Sequence, residues 1–168
     1  KKTNLDLDIV VEGDGIDFAK HLAQYLGGRY RTHERFKTAM VLMPSGFKID
    51  IATARLEYYE YPAAMPTVEL SSIKLDLSRR DFTINGLFYD PRGDRVIDYV
   101  GGQADLQGRT LRAIGDPATR FAEDHLRLLR AVRFASVLEF DIEPATAAAI
   151  REAAPNLARI SAERIRQE

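Results

Sequence analysis

Two aspartates near the start of the chain stand two residues apart, just ahead of a run of β-branched residues. Asp6 and Asp8 flank a leucine, and residues 9–11 are Ile-Val-Val. In a strand, residues i and i+2 project from the same face, so the two carboxylates would lie together. Like charges held that close repel each other unless a cation lies between them. The spacing is therefore typical of a site for a hard cation such as Mg²⁺ in phosphoryl or nucleotidyl transfer. The alternative is a pair of aspartates on a solvated strand edge.

A third carboxylate lies on a second predicted strand. Residues 47–52 form the returning strand of a predicted hairpin, and Asp50 lies within it between two isoleucines. Because side chains alternate along a strand, Asp50 faces away from both isoleucines. An antiparallel strand that carried Asp50 beside Asp6 and Asp8 would complete the ligand set of two-metal nucleotidyl transfer. Otherwise Asp50 is a single exposed strand residue without this role.

Two further stretches combine arginines with carboxylates or amides. Residues 79–85 are Arg-Arg-Asp-Phe-Thr-Ile-Asn, in which arginines could neutralise a triphosphate while Asp and Asn bind ribose hydroxyls. Residues 123–138 form one long predicted helix, where Asp124, Arg127 and Arg130 recur near one face. An Asp and an Arg one turn apart present an acceptor and donors side by side, like the edge of a base. The alternative for the first stretch is an ion-paired helix start, and the alternative for the second is a set of ion pairs on a solvent-exposed helix surface.

The elements that must position these residues change in character near residue 101. The segments before it are predicted as a strand at 7–11, a helix at 16–26 capped by Asp14, hairpins at 38–52 and 88–99, an irregular stretch at 54–66 and a short helix at 70–77. Only helices are predicted after it, and the long one has an apolar stripe that includes Leu126, Leu129, Val132 and Val137. This order predicts an α+β fold in which a small mixed or antiparallel sheet precedes an all-α unit.

The composition excludes several classes of protein. The chain has 168 residues, of which 45% are hydrophobic, so it can bury a substantial core. A formal net charge of −1 provides no global basic field, although a local basic face remains open. Without cysteine there is no disulfide framework and no Cys-based zinc site. No stretch is apolar enough to span a membrane and no signal peptide is visible, so a cytoplasmic location is expected.

Taken together, the motifs resemble the class II tRNA nucleotidyltransferase and bacterial poly(A) polymerase family, within the polymerase-β-like nucleotidyltransferase superfamily. Residues 79–85 look like its ribose- and NTP-contacting motif, and residues 102–106 look like its head-to-neck connector. Residues 120–134 are similar to its nucleotide-selecting helix, and residues 160–165 are similar to its last neck motif. The resemblance implies a head domain at 1–100, a nucleotidyltransferase palm, followed by a helical neck domain at 101–168.

The same resemblance implies roles for individual residues. Asp6 and Asp8 are similar to the family's two metal-binding aspartates. Arg80, Asp81 and Asn85 would contact the ribose and phosphates of the nucleotide. Asp124 and Arg127 would read the base edge of ATP, and of CTP if CTP is a substrate, and Glu123 and Arg130 would orient Asp124 and Arg127. Arg55 would contact a phosphate. Glu163 and Arg164 would brace the neck.

The implied reaction is template-independent addition of A, and of C if CTP is used, to the 3′ end of tRNA with Mg²⁺ and release of pyrophosphate. Poly(A) tailing of other RNAs is one alternative. A non-catalytic RNA-binding fragment is another, since the family's Gly-Gly element upstream of the aspartate pair is lacking. We therefore expect an N-terminally incomplete head, and a neck without the family's body and tail. The sequence leaves the oligomeric state open.

Overall fold

The computed structural model describes residues 7–58 and 67–168. These residues divide into two compact units, with 7–58 and 67–76 in the first and 77–168 in the second. The mixed α+β class predicted from the sequence is confirmed. The two units divide well before residue 101, and the head and neck boundary expected there stays a prediction.

Strands predominate before residue 100 and helices after it. The strands are β1 (Leu7–Val11), β2 (Arg29–His33), β3 (Thr38–Leu42), β4 (Lys48–Thr53), β5 (Arg55–Tyr58), β6 (Thr67–Leu70), β7 (Leu87–Asp90), β8 (Arg95–Asp98), β9 (Thr110–Leu111) and β10 (Asp141–Ile142). The α-helices are α1 (Gly15–Tyr25), α2 (Ile73–Ser78), α3 (Gly102–Gln107), α4 (Pro117–Glu123), α5 (Leu126–Leu138), α6 (Pro144–Ala153) and α7 (Ala162–Gln167). Short 3₁₀ helices lie at Glu34–Phe36, Thr83–Asn85 and Ala154–Arg159.

The first unit is built on a four-stranded sheet in the order β1-β4-β3-β2. Helix α1 covers one face, where Ala19 and Ala23 pack against Val41 of β3 and Ile51 of β4. The predicted antiparallel placement of the strand that carries Asp50 is wrong, because β4 runs parallel to its neighbour β1. Strand β4 is antiparallel to β3, as the predicted hairpin requires. The sheet is therefore mixed, with one face covered by α1.

The start of α1 follows the predicted capping. The Asp14 carboxylate accepts hydrogen bonds from the backbone N–H groups of Ile16 (2.9 Å) and Asp17 (3.0 Å). These two groups belong to the first helical turn, whose N–H groups have no partner inside the helix. The chain turns at Gly27 with a φ of 65°, which glycine adopts without strain. The cap fixes where α1 begins and so how it lies on the sheet.

Strand pairing overrides two local predictions in this unit. The stretch at 54–66 was expected to be irregular, but Arg55–Tyr58 forms β5 and pairs with β6; residues 59–66 lie outside the described part. The helix expected at 70–77 begins only at Ile73, because Leu70 ends β6. Both errors arise because pairing with a distant strand decides the backbone conformation more strongly than local propensity does.

The second unit is mainly helical, with the β7–β8 hairpin at its start and a two-residue pairing of β9 with β10. Its core consists of Phe82, Leu111, Phe121, Leu128 and Ala131. No helix in the described ranges is long and apolar enough to cross a membrane.

The single long helix predicted at 123–138 is wrong. Asp124 is extended, with φ −145° and ψ 107°, and it separates α4 from α5. The predicted apolar stripe is also wrong, because Val132 and Val137 are 54% and 69% exposed whereas Leu128 and Ala131 are buried. Apolar residues occur on both sides of α5, so their spacing alone does not identify the face that packs against the core.

Candidate active site

The described part of the first unit carries two of the three predicted catalytic carboxylates. Asp8 of β1 and Asp50 of β4 are direct partners in the parallel register. Paired residues of adjacent strands project from the same face, and the two backbones are about 4.8 Å apart. The next residue of each strand, Ile9 and Ile51, packs on the α1 side, so both aspartates face the opposite side. The sheet thus presents two neighbouring carboxylates to solvent.

This pair suits a hard divalent cation. Both aspartates are exposed, and neither carboxylate forms an ion pair with a cation in the described ranges. Oxygen ligands of this kind are those that Mg²⁺ prefers. Asp6 lies outside the residues that the structure describes, within which no group of three or more potential metal-binding residues is found. Asp8 and Asp50 are the predicted carboxylates that the described part of the chain contributes to this face.

The second unit contains a cavity of about 410 Å³ that is open to solvent. Six of the residues predicted to contact nucleotide line it, namely Arg80, Asp81, Asn85, Asp124, Arg127 and Arg130. Three further lining residues are Arg79, Leu126 and Phe134. A volume of this size is in the range of small-molecule sites. With four arginines against two aspartates, the wall has an excess of positive charge that suits a polyphosphate.

Asp81 connects the two stretches that form this cavity. Its Oδ1 accepts hydrogen bonds from the Asn85 amide (3.0 Å) and from the backbone N–H of Phe82 (2.8 Å). Its Oδ2 accepts a hydrogen bond from Nε of Arg130 at 2.8 Å, and Nη2 of the same guanidinium lies 2.8 Å from Oδ2 in an ion pair. Burial acts to lower the pKa of Arg130, but Asp81 and then Glu168 outweigh it and raise the pKa above its ordinary value. Arg130 therefore stays charged, and it pairs with Asp81 and not with Asp124.

Arg80 is fixed next to this network. Its Nη1 donates to the backbone carbonyl of Asn85 at 3.2 Å. Its guanidinium lies 4.6 Å from the centroid of the Phe88 ring, which is within cation–π range. The guanidinium is therefore oriented on the cavity wall by a carbonyl and an aromatic face.

Arg127 is nearly buried, with 8% of the residue exposed. Its Nη1 donates to Glu123 (2.8 Å) and to the carbonyl of Arg120 (3.1 Å), and its Nη2 donates to the carbonyl of Arg79 (3.0 Å). Glu123 also receives Nη2 of Arg120 at 2.5 Å. A guanidinium has five N–H donors, so Nε–H and one Nη2–H of Arg127 have no partner among the described residues. These two donors are available to a ligand.

Asp124 is positioned by the break between α4 and α5. One carboxylate oxygen accepts from the N–H of Leu126 at 3.0 Å, and negative charge is favourable at a helix N-terminus. Both oxygens lie near Nη2 of Arg164, at 3.1 and 2.9 Å. Arg164 of the predicted neck motif therefore holds the side chain that was expected to read the base.

Two predicted nucleotide residues do not line the cavity. Glu123 contacts its wall through Arg127. Arg55 belongs to the first unit, where its backbone N–H donates to Asp76 at 3.2 Å and its Nη1 donates to the carbonyl of Phe36. Sequence reasoning had missed Phe134, although it lies one helical turn from Arg130, whose guanidinium is 5.3 Å from its ring centroid.

Comparison with known proteins identifies the family. Residues 1–112 match the family described as the poly A polymerase head domain, and residues 139–168 match the one described as a probable RNA and SrmB-binding site of polymerase A. The chain belongs to the poly A polymerase head domain family. Nucleotidyltransferases of this family generally use a divalent metal.

Individual relatives agree with this assignment. The A-adding tRNA nucleotidyltransferase of Geobacter sulfurreducens is 46% identical over 153 residues, which are 89% of this chain and 17% of that protein. The CCA-adding enzyme of Bacillus licheniformis is 46% identical over 127 residues, 74% of this chain and 32% of that protein. The chain therefore spans less than half the length of these relatives.

Solved structures show the same similarity. A CCA-adding enzyme in an apo form superposes with a TM-score of 0.87 at 43% identity, covering 98% of this chain and 40% of that one. The Thermotoga maritima CCA-adding enzyme complexed with tRNA gives a TM-score of 0.81 at 37% identity, covering 98% of this chain and 37% of that one.

Proposed function

We propose that this chain is the catalytic part of an enzyme that adds nucleotides to the 3′ end of tRNA. The observation that carries the proposal is the cavity of the second unit. There, residues 79–85 and 124–134, which are far apart in sequence, meet through the contact between Arg130 and Asp81. The relatives named as A-adding and CCA-adding enzymes support the same reaction. The proposal includes a cytoplasmic location and a division of the chain into a head and a neck near residue 101, both as expected from the sequence.

In the proposed reaction the 3′-hydroxyl of the RNA loses its proton to solvent and its oxygen forms a bond to the α-phosphorus of ATP. The bond from that phosphorus to the oxygen that bridges it to the β-phosphorus breaks, and pyrophosphate leaves. Asp8 and Asp50, with Asp6, would hold Mg²⁺. When bound, Mg²⁺ lowers the pKa of the attacking hydroxyl and balances charge on the leaving group. The protein then contributes mainly by positioning and electrostatics, as is general for phosphoryl transfer.

The residues of the cavity have separate tasks in this proposal. Arg80 neutralises phosphate charge, while Asp81 and Asn85 bind the ribose hydroxyls. Arg127 offers its two remaining N–H donors to acceptors on the base edge, and Asp124 accepts from the exocyclic amino group. This combination favours adenine, and cytosine if CTP is a substrate, because both bases present an amino group next to a ring nitrogen acceptor. Arg55 stays a candidate for a phosphate contact.

The test is nucleotide incorporation by the full-length parent protein on three RNAs: tRNA lacking CCA, tRNA ending in CC, and an unstructured RNA. Each is supplied with ATP, CTP or both. Addition of C and then A would make it a CCA-adding enzyme, and addition of A only after CC would make it an A-adding enzyme. Addition nowhere would overturn the proposal and favour an RNA-binding fragment.

Variants connect this activity to the carboxylates. We expect Asp6→Ala combined with Asp8→Ala, and Asp50→Asn alone, to abolish incorporation on every RNA. Asp141→Asn is the matched control, because this exposed aspartate lies on β10 in the second unit. Undiminished incorporation by the double variant would refute the metal assignment.

A second candidate activity is poly(A) tailing. It is favoured by the two family descriptions, both of which refer to polymerase A. A long A tail on the unstructured RNA, without preference for tRNA ending in CC, would select it.

A further inference from the structure

Strand β2 forms a basic edge of the first sheet. Its sequence is Arg-Tyr-Arg-Thr-His, and all of these residues except Thr32 are exposed. The side chains of Arg29 and Arg31 form neither an ion pair nor a hydrogen bond with any residue in the described ranges. Charged residues do occur on sheet edges simply to prevent edge-to-edge association.

The strand register aligns Arg31 with the carboxylate pair. Arg31 is paired with Met40, Met40 with Asp50, and Asp50 with Asp8. Directly paired residues share a face, so these four side chains form one row across the sheet. The preceding row on the same face, Arg29–Leu42–Lys48, contains two more cations. This face thus carries Arg29 and Arg31 on the edge strand β2, and Lys48 on β4, two residues from Asp50.

The spacing within this face suits a linear polyanion. Adjacent strands are about 4.8 Å apart, so the backbone of Arg31 lies about 10 Å from that of Asp50. Met40, which is half-buried, separates the two, and no ion pair joins them. Arg29 and Arg31 are two residues apart on one strand, about 6.8 Å, which equals about two steps of 3.4 Å along a stacked nucleic-acid strand.

We propose that Arg31, with Arg29 and Lys48, binds backbone phosphates of the RNA strand whose 3′ end reaches Asp8 and Asp50. This inference rests on the proposed function and names residues that hold its RNA substrate. A triphosphate shares the same chemistry, but the four arginines of the cavity already provide for it. Arg29 and Arg31 are separated along the edge strand β2, and Lys48 lies on β4, so these cations fit phosphodiesters spread along one RNA strand better than one compact triphosphate.

The experiment uses the full-length protein and its Arg31→Ala, Arg29→Ala and double variants. Fluorescence anisotropy with a labelled tRNA ending in CC, in the absence of nucleotide, gives the Kd for RNA at a series of salt concentrations from about 50 to 200 mM. Steady-state incorporation gives the KM for ATP. We expect Arg31→Ala to weaken RNA binding about fivefold and to reduce the slope of log K against log salt by about 0.7, with KM for ATP unchanged. The double variant should reduce the slope by about 1.4.

Two further variants control for charge and folding. Lys20→Ala removes a cation from α1, on the opposite face of the same sheet, and should leave the salt slope unchanged. Arg31→Lys keeps the charge and should retain most of the binding, which separates a phosphate contact from loss of structure.

Other outcomes overturn the inference. A raised KM for ATP with unchanged RNA binding would assign Arg31 to the triphosphate. No change in either quantity would show that the edge is only solvated. Failure of the proposed function gives a different result: the wild-type protein would incorporate no nucleotide, while Arg31→Ala would still weaken RNA binding.

Discussion

Glu123→Gln tests whether the buried charges behind the cavity position Arg127. Glu123 receives Arg120 at 2.5 Å and Arg127 at 2.8 Å, and the three side chains are 10 to 18% exposed. Removing one partner from a buried ion pair typically costs about 3–5 kcal/mol. Arg127 keeps two backbone carbonyl acceptors, and glutamine can still accept one hydrogen bond. We therefore expect the interaction free energy that holds Arg127 in position to fall by about 2 kcal/mol. This corresponds to a factor of about 30.

The assay is single-nucleotide incorporation by the full-length protein, combined with thermal unfolding. Because Arg127 lines the cavity, we expect kcat/KM for ATP to fall about 30-fold and Tm to decrease. Glu152→Gln is the matched control, since Glu152 is exposed on α6. Unchanged kcat/KM and Tm in Glu123→Gln would refute the reasoning, because the buried charge would then have no positioning role.

Two more predictions concern Asp98 and Arg164. Burial acts to raise the pKa of Asp98, but four backbone N–H donors, at residues 100–103, outweigh it and lower the pKa. We expect Asp98→Asn to lower the free energy of unfolding by about 1 kcal/mol at pH 7. The difference from wild type should be constant above about pH 4, the ordinary pKa of an unfolded aspartate, and should be lost as the pH falls from there through the lower pKa of Asp98 in the folded protein. Arg164→Ala should raise KM for ATP severalfold by releasing Asp124 and change Tm little, because partly exposed ion pairs contribute at most about 1 kcal/mol. Its control is Arg166→Ala, which removes only a contact to the carbonyl of Ala162 within the same helix.

Several elements were predictable because their signals are local. The alternation around Asp50 and the cap at Asp14 each depend on a few neighbouring residues, and both predictions are confirmed. The opposite holds for β2, whose residues are polar and mostly exposed and which was not predicted as a strand. It exists because β3 offers it a hydrogen-bonding edge.

The candidate site divides in the same way. The residue types at 79–85 and 124–130 predicted which side chains line the cavity. Their partners were not predictable: Arg130 was expected to orient Asp124, yet it contacts Asp81, and Arg164 takes the place beside Asp124. These are contacts between residues about 40 or more positions apart, which sequence spacing within one helix cannot specify.

By itself, the sequence determined the chemistry available to this protein: a pair of carboxylates, a cluster of arginines with Asp and Asn, and the α+β order of elements. Only the tertiary structure decided the geometry. The parallel register put Asp50 beside Asp8, and the break at Asp124 divided one predicted helix into two. The physical reason is that local periodicity fixes which face a side chain occupies, whereas strand register and long-range ion pairs are fixed only when distant segments pack together.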